Sequence, residues 1–171
     1  ARTKERAGDR GEEFFTDVWH ALRLSNNSKQ PWTTAPAIVT KDGLILGQDT
    51  LYFTSLGAQT LLRFTKALDL RAVTSERETD RQRNVPHRDS RWDLVTAEGK
   101  ITLTNLKAVE VAVFVQIPVE GEIVDNPQNA SVSLSHSGIT AVNPTVNLSW
   151  DIKIPIREKI ELNYTYKRYV R

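Results

Sequence analysis

Between Val109 and Ile117 the chain alternates without a break: Val109, Val111, Val113, Val115 and Ile117 share one parity, and Glu110, Ala112, Phe114 and Gln116 the other. Successive side chains of a strand point to opposite faces, so a period of two is the mark of a half-buried strand. The period returns in Val146, Leu148, Trp150 and Ile152 against Asn147, Ser149, Asp151 and Lys153, and again in Ile160, Leu162, Tyr164 and Tyr166 against Glu161, Asn163, Thr165 and Lys167. Trp150 shares the parity of Leu148 and Ile152, which places it in the core. One wet face per strand is the pattern of two stacked antiparallel sheets, whereas a βαβ fold would need helical crossovers. The expectation is an all-β antiparallel sandwich, Ig-like or Greek-key in style, with roughly eight to eleven short strands and little helix.

The remaining segments fit that frame. Residues 1–13, "ARTKERAGDRGEE", lack apolar periodicity and read as a charged tail or the end of a preceding helix, ahead of a single domain over residues 14–171. From Phe14 to Leu24 the pattern fits either a helical stripe or one strand face. Pro31 and Pro36 deny helix to the span between them, "APAIVT" reads as a strand, and Lys41-Asp42-Gly43 predicts a tight turn into "LILGQDTLYFTS". Residues 59–65 and 69–75 are two further strands. "ERETDRQRNVPHRDSR" breaks every apolar period and reads as a loop. "GKITLTNLK" is expected to form a second hairpin with the 109–117 strand, turning at Asn105, and one short strand is expected over 130–135.

The formal net charge of +2 is too small a field to imply nucleic acid. The absence of Cys removes disulfides and thiolate chemistry. There is no Met, at position 1 or elsewhere, so the chain reads as a piece of a longer polypeptide. No apolar run approaches the roughly 20 residues that span a bilayer.

Few residue sets point to chemistry. Ser90, His87 and Asp89 lie too close in sequence to align a nucleophile, a base and an orienting acid, and His20 and His136 are remote. Asp125, Asn126 and Asn129 offer oxygen ligands but lack the alternating carboxylates of a calcium loop. The chain is therefore read as a non-enzyme with no metal or cofactor. Two candidate ligand-binding features stand out. Trp32, in its Pro-rich turn, could stack on a sugar ring, and the arginines of the 76–91 stretch, Arg81, Arg83 and Arg88 among them, could hold an acidic polysaccharide, although interleaved acids offset their charge. The last strand, with Tyr164, Tyr166, Lys167 and Arg168, is the candidate assembly edge. Asn26, Asn129, Asn147 and Asn163 each begin an Asn-x-Ser/Thr triplet, a glycan acceptor in a secretory setting.

The string Pro31-Trp32-Thr33-Thr34-Ala35-Pro36, the Gly47-Gln48-Asp49 step, "TLTNLK", and Trp150 followed by "IELNYTY" together resemble the C-terminal domain, of unknown function, of mucoidy-inhibitor-type proteins. The resemblance covers residues 18–169 or so and implies a strand for the ambiguous 14–24 segment. The sandwich pattern, the lack of a catalytic constellation and the strand-rich ends together lead to the expectation of a non-enzymatic module of a larger cell-envelope or extracellular protein that serves assembly or partner binding. The partners expected are other protein chains, with a homo-oligomer among the arrangements. The alternative is a carbohydrate-binding module recognising surface polysaccharide.

Overall fold

The computed structural model describes residues 12–125, 128, 130–135 and 141–171. All regular structure among them is β, in antiparallel sheets, as the alternation requires. Twelve strands are present: β1 (Glu12–Thr16), β2 (Trp19–Ser25), β3 (Ala35–Lys41), β4 (Leu44–Leu51), β5 (Gln59–Lys66), β6 (Leu70–His87), β7 (Ser90–Asn105), β8 (Val111–Glu120), β9 (Glu122–Asp125), β10 (Ser131–Leu134), β11 (Thr145–Ile154) and β12 (Lys159–Val170). The ambiguous 14–24 segment is strand, divided between β1 and β2. The described residues divide into two compact units, one of residues 17–69 and one of residues 12–16 with those described from 70 to 171.

The larger unit is a sandwich. A five-stranded sheet of order β1-β6-β7-β12-β9 lies against a three-stranded sheet of order β10-β11-β8. Val146, Leu148, Trp150 and Ile154 of β11 meet Ile101, Leu103, Leu162 and Tyr164 of β7 and β12 in the core, with the rings of Trp150 and Tyr164 6.4 Å apart. Gly99 is the one residue that fits beneath Tyr164: a Cβ there would come within 2.0 Å of the ring.

Two expectations are corrected in this unit. The 76–91 stretch is not a loop. It is the far part of a β6–β7 ribbon, bulged at Glu78/Asp80 and Gln82/Val85 and closed at Arg88 and Asp89. Residues 76–84 are exposed throughout, and a strand wet on both faces has no apolar period to read. Nor does the 109–117 strand return on the 99–107 strand. β7 pairs with β6 and β12, while β8 pairs with β11 in the opposite sheet.

Asn105 makes that crossing. It is fully buried, and its Nδ2 donates to Val109 O (2.8 Å), Pro155 O (2.9 Å) and Ile154 O (3.2 Å). Its Oδ1 accepts from Lys107 N (2.9 Å). One amide thus satisfies the backbone groups that a change of sheet strips of ladder partners.

The smaller unit holds two ribbons, β2-β5 and β3-β4, and an isolated bridge between Trp32 and Thr54. The expected hairpin over 35–51 is present, its turn closed by Asp42 (φ 52°) and Gly43 (φ 77°), a pair of positive φ values that matches the strand twist. Gly47 sits against the backbone of Phe64, where a Cβ would meet the carbonyl oxygen. Asp49 Oδ2 accepts from Arg63 N (3.1 Å). Asn26, fully buried, is the second polar pin: Nδ2 donates to Thr54 O (2.9 Å) and Gln30 O (3.0 Å), and Oδ1 accepts from Ser28 N (3.1 Å).

Candidate functional site

Two arginines of the β6–β7 ribbon, Arg77 and Arg81, are bound to its own acids. Arg81 donates to both oxygens of Glu78 (2.7 Å each) and to Asp93 (3.1 Å). Those bonds push its guanidinium pKa up and hold the Glu78 carboxyl below the usual range. The Asp93 carboxyl is lowered as well, first by the backbone N–H of Asn84 and then by Arg81. Arg77 bridges to Glu98 (2.8 Å), Arg91 donates to Asn84 O (3.0 Å) and Arg88 to Ala141 O (3.1 Å). Arg83 is exposed on the same ribbon. Glu161, between Lys100 and Lys159, has its pKa lowered to about 2 by the two ammonium groups. Arg77, Arg81 and Arg91 therefore act as cross-strand ties, and Arg81 and Arg88 are engaged with different partners.

The final strand is not the open edge that its sequence resembles. β7 covers one side of β12 from Lys159 to Val170. On the other side β9 pairs with Thr165, Tyr166 and Lys167, and Gln128 Oε1 takes the N–H of Asn163 (3.0 Å). The amide of Asn143 exchanges two bonds with Tyr169, N to Oδ1 at 2.7 Å and Nδ2 to O at 2.9 Å, as a neighbouring strand would. Tyr164 and Tyr166 are core residues whose phenols donate to the two oxygens of Glu76, at 2.8 and 3.1 Å. Burial and the adjacent carboxylate raise both phenol pKa values, that of Tyr166 to about 12. The aromatic residues of this strand therefore build the core, while Lys167 and Arg168 flank a covered edge.

Trp32 does line a concavity. Leu24, Pro31, Trp32, Thr33, Ala35 and Leu51 surround a groove of about 480 Å³ in the smaller unit. Thr33 carries the only hydrogen-bonding hydroxyl among those side chains, so the groove suits an apolar group better than a sugar ring ringed by hydroxyls. Trp92 lies under the guanidinium of Arg171, 4.4 Å from its ring. His87 packs on Tyr169 at 4.0 Å and pairs with Ser90 at the ribbon end. Asp125 lies in β9, opposite Thr165; Asn126, Asn129 and His136 fall outside the described residues. No cluster of three metal-ligating side chains occurs among the described residues. Of the glycan triplets, Asn26 is buried with its amide fully engaged, Asn147 is half-buried and Asn163 is exposed.

Sequence reasoning did not single out the outer face of the β3–β4 hairpin. Ile38 is 60% exposed and Ile45 73%; Leu44, on the opposite face, is 69% exposed, and Tyr52 and Phe53 are exposed past the other end of the ribbon. Thr40 pairs with Ile45, so Ile38 and Ile45 lie on one face. The detectable signal is the run Leu44-Ile45-Leu46 directly after a tight turn, where both neighbouring strands cannot hide it. No helix among the described residues is long and apolar enough to cross a membrane.

Comparison with family models, with curated proteins and with solved structures finds no match for this chain.

Proposed function

We propose that this chain is a non-enzymatic β-sandwich module of a larger cell-envelope or extracellular protein, and that it binds another protein chain through the smaller unit. The observation that carries the reading is the β3–β4 hairpin, where Ile38 and Ile45, on one face, each stand at least 60% exposed. An exposed apolar pair of this kind on a small β unit marks a contact surface. Lys41 and Asp42 at the hairpin turn cancel in charge, which gives no pull toward an anionic lipid surface and favours a protein partner. The envelope setting rests on the resemblance of "PWTTAP", "GQD" and "TLTNLK" to mucoidy-inhibitor-type domains.

The polysaccharide reading has less support, because Trp32 faces a groove with one hydroxyl and Arg81 and Arg88 are engaged with acids or a backbone carbonyl.

A photoreactive amino acid placed at Ile45 in the native source tests the proposal, with Lys29 as the exposed control. The expected result is a discrete protein adduct from position 45 and none from position 29. Equal labelling from both positions, or capture of lipid alone from position 45, would overturn it.

A further inference from the structure

Asn26 and Asn105 do more than resemble each other. Each donates from Nδ2 to the carbonyl four residues on, Gln30 or Val109, and each accepts at Oδ1 from the amide two residues on, Ser28 or Lys107. Each reaches back with Nδ2 to a carbonyl at the end of a distant strand segment, Thr54 or Ile154. The backbone N–H of each donates to the last residue of a four-residue turn, Ala58 or Glu158 (2.9 Å in both). Both turns close on their own first residue, Ala58 N to Ser55 O and Glu158 N to Pro155 O. Both carry a positive φ at the third position, 72° at Gly57 and 56° at Arg157.

The correspondence extends through the ladders. Between the bulges at His20/Ala21 and Val39/Thr40, adding 79 to the numbers on the Asn26 side and 100 to those on the Ala58 side turns one set of pairs into the other. Ser25 opposite Gln59 becomes Thr104 opposite Lys159, and Leu22 opposite Leu62 becomes Ile101 opposite Leu162. The Trp32–Thr54 bridge becomes Val111 opposite Ile154, and Ala35 opposite Leu51 becomes Phe114 opposite Asp151. Leu24 and Leu103, Leu62 and Leu162, and Thr65 and Thr165 are identical at equivalent positions. Arg63 N and its equivalent Asn163 N each donate to a side-chain oxygen, Asp49 Oδ2 in one copy and Gln128 Oε1, from a non-equivalent position, in the other.

We propose that the chain contains one strand–pin–hairpin–strand element twice, β2-β3-β4-β5 and β7-β8-β11-β12, the second interrupted by β9 and β10, and that the hairpin of the first copy has been turned over to make an interaction face. In the second copy the β8–β11 ladder runs unbroken from Val111/Ile154 to Glu120/Thr145, with Val115 and Ile117 half-buried on the face shared with buried Leu148 and Trp150. In the first copy the ladder lapses between Trp32/Thr54 and Ala35/Leu51, where Thr34 Oγ1 instead accepts from Phe53 N (3.0 Å). Beyond that lapse the burial phase reverses: Ala35, Ala37 and Val39 turn inward and Ile38, the equivalent of Ile117, turns out. The sandwich-forming face of one copy is thus the free face of the other. This last step rests on the partner-binding reading; the duplication does not.

Reciprocal grafts in the full chain test the duplication without any partner. Residues 26–31 are replaced by the sequence of 105–110, and residues 105–110 by that of 26–31. Each graft is also made with its asparagine displaced by one position. Hydrogen exchange then reports the amides of Ser28 and Gly57, and of Asn105 and Lys107. The in-register grafts are expected to keep protection within about tenfold of the parent chain, and the displaced ones to lose about 100-fold. Loss of protection in both in-register grafts, or its retention in the displaced ones, would overturn the proposal.

Discussion

Replacing Asn105 by alanine should be among the most damaging single changes available to the larger unit. The side chain is fully buried, and four hydrogen bonds disappear with it. They do not count equally. Val109 is exposed, so its carbonyl can turn to water, and Pro155 O keeps the N–H of Glu158 at 3.3 Å. Ile154 is almost wholly buried, so water cannot replace the bond its carbonyl loses, which costs ~1.5 kcal/mol, while the other three bonds are worth ~0.7 kcal/mol each. The sum, about 4 kcal/mol, corresponds to a fall of roughly 15 °C in the midpoint for a unit of this size. Scanning calorimetry of the larger unit's transition reads it directly. Asn105→Asp sharpens the test: it keeps Oδ1 for Lys107 but sets a carboxylate against three carbonyls. Its folded pKa must rise, so it should be as destabilising as alanine at neutral pH and recover as pH falls through that raised value, where the protonated acid can donate again, with recovery complete at about pH 4. An alanine shift under about 3 °C, or an aspartate variant as stable as the parent at neutral pH, would refute the account of Asn105 as the pin.

Gly99→Ala forces a Cβ into the ring of Tyr164 and should lower stability by about 2–3 kcal/mol in urea titration, with Gly43→Ala, which meets no atom within 4 Å, separating backbone strain from that clash. Arg157→Gly relieves a left-handed residue at the turn before β12 and should stabilise by about 0.5–1 kcal/mol; a loss would mean that the Arg157 side chain holds the turn by contacts of its own. The tyrosine cluster sets an alkaline limit. Folded phenols that ionise only near pH 12, against an unfolded value of 10, contribute stability that is complete below pH 10 and is lost as pH rises toward 12. Tyr166→Phe should flatten that decline in a pH series of melting curves, and an unchanged slope would count against the burial of the Tyr166 phenol beside Glu76 as its cause. Asn143→Ala bares the backbone of Tyr169 and should produce concentration-dependent association in light scattering under conditions where the parent chain remains dispersed; equal behaviour would show that the edge needs no such cover.

Strand identity was legible in the sequence wherever one face is dry. Val111 to Ile117, Val146 to Trp150 and Ile160 to Tyr166 alternate in the structure as they do in the chain. Pairing was not legible. Nothing local to "TLTNLKAVEV" says that its two halves join opposite sheets, because the groups that decide it, the carbonyls of Ile154 and Pro155, lie some 50 residues away. The ribbon over 76–91 was hidden for the opposite reason: its order comes from cross-strand ion pairs and ladder bonds, which leave no apolar period. The last strand misled because aromatic alternation looks the same on an open edge and on a covered one. Trp32 was legible as a wall residue, but the chemistry of its groove depends on Leu24 and Leu51, which the fold brings to it.

Both buried asparagines bear on why the hairpin can present either face. A hairpin tied to its sheet only by apolar packing would lose that packing if it turned over, since its core residues would face water. Here the entry and exit of each hairpin are fixed by amide bonds to backbone, at Gln30 and Thr54 in one copy and at Val109 and Ile154 in the other. Such bonds are indifferent to which side chains lie further along the ribbon. The strands beyond the pin can then reverse their phase at a two-residue lapse in the ladder, as they do at Thr33 and Thr34, without disturbing the pin. The change of face is accompanied by a matching change of residue: Gln48 and Thr50 stand where the second copy has Leu148 and Trp150. Ile38 and Ile45 alone keep that outward face apolar at the hairpin end, which confines the contact surface to the part of the hairpin farthest from the pin.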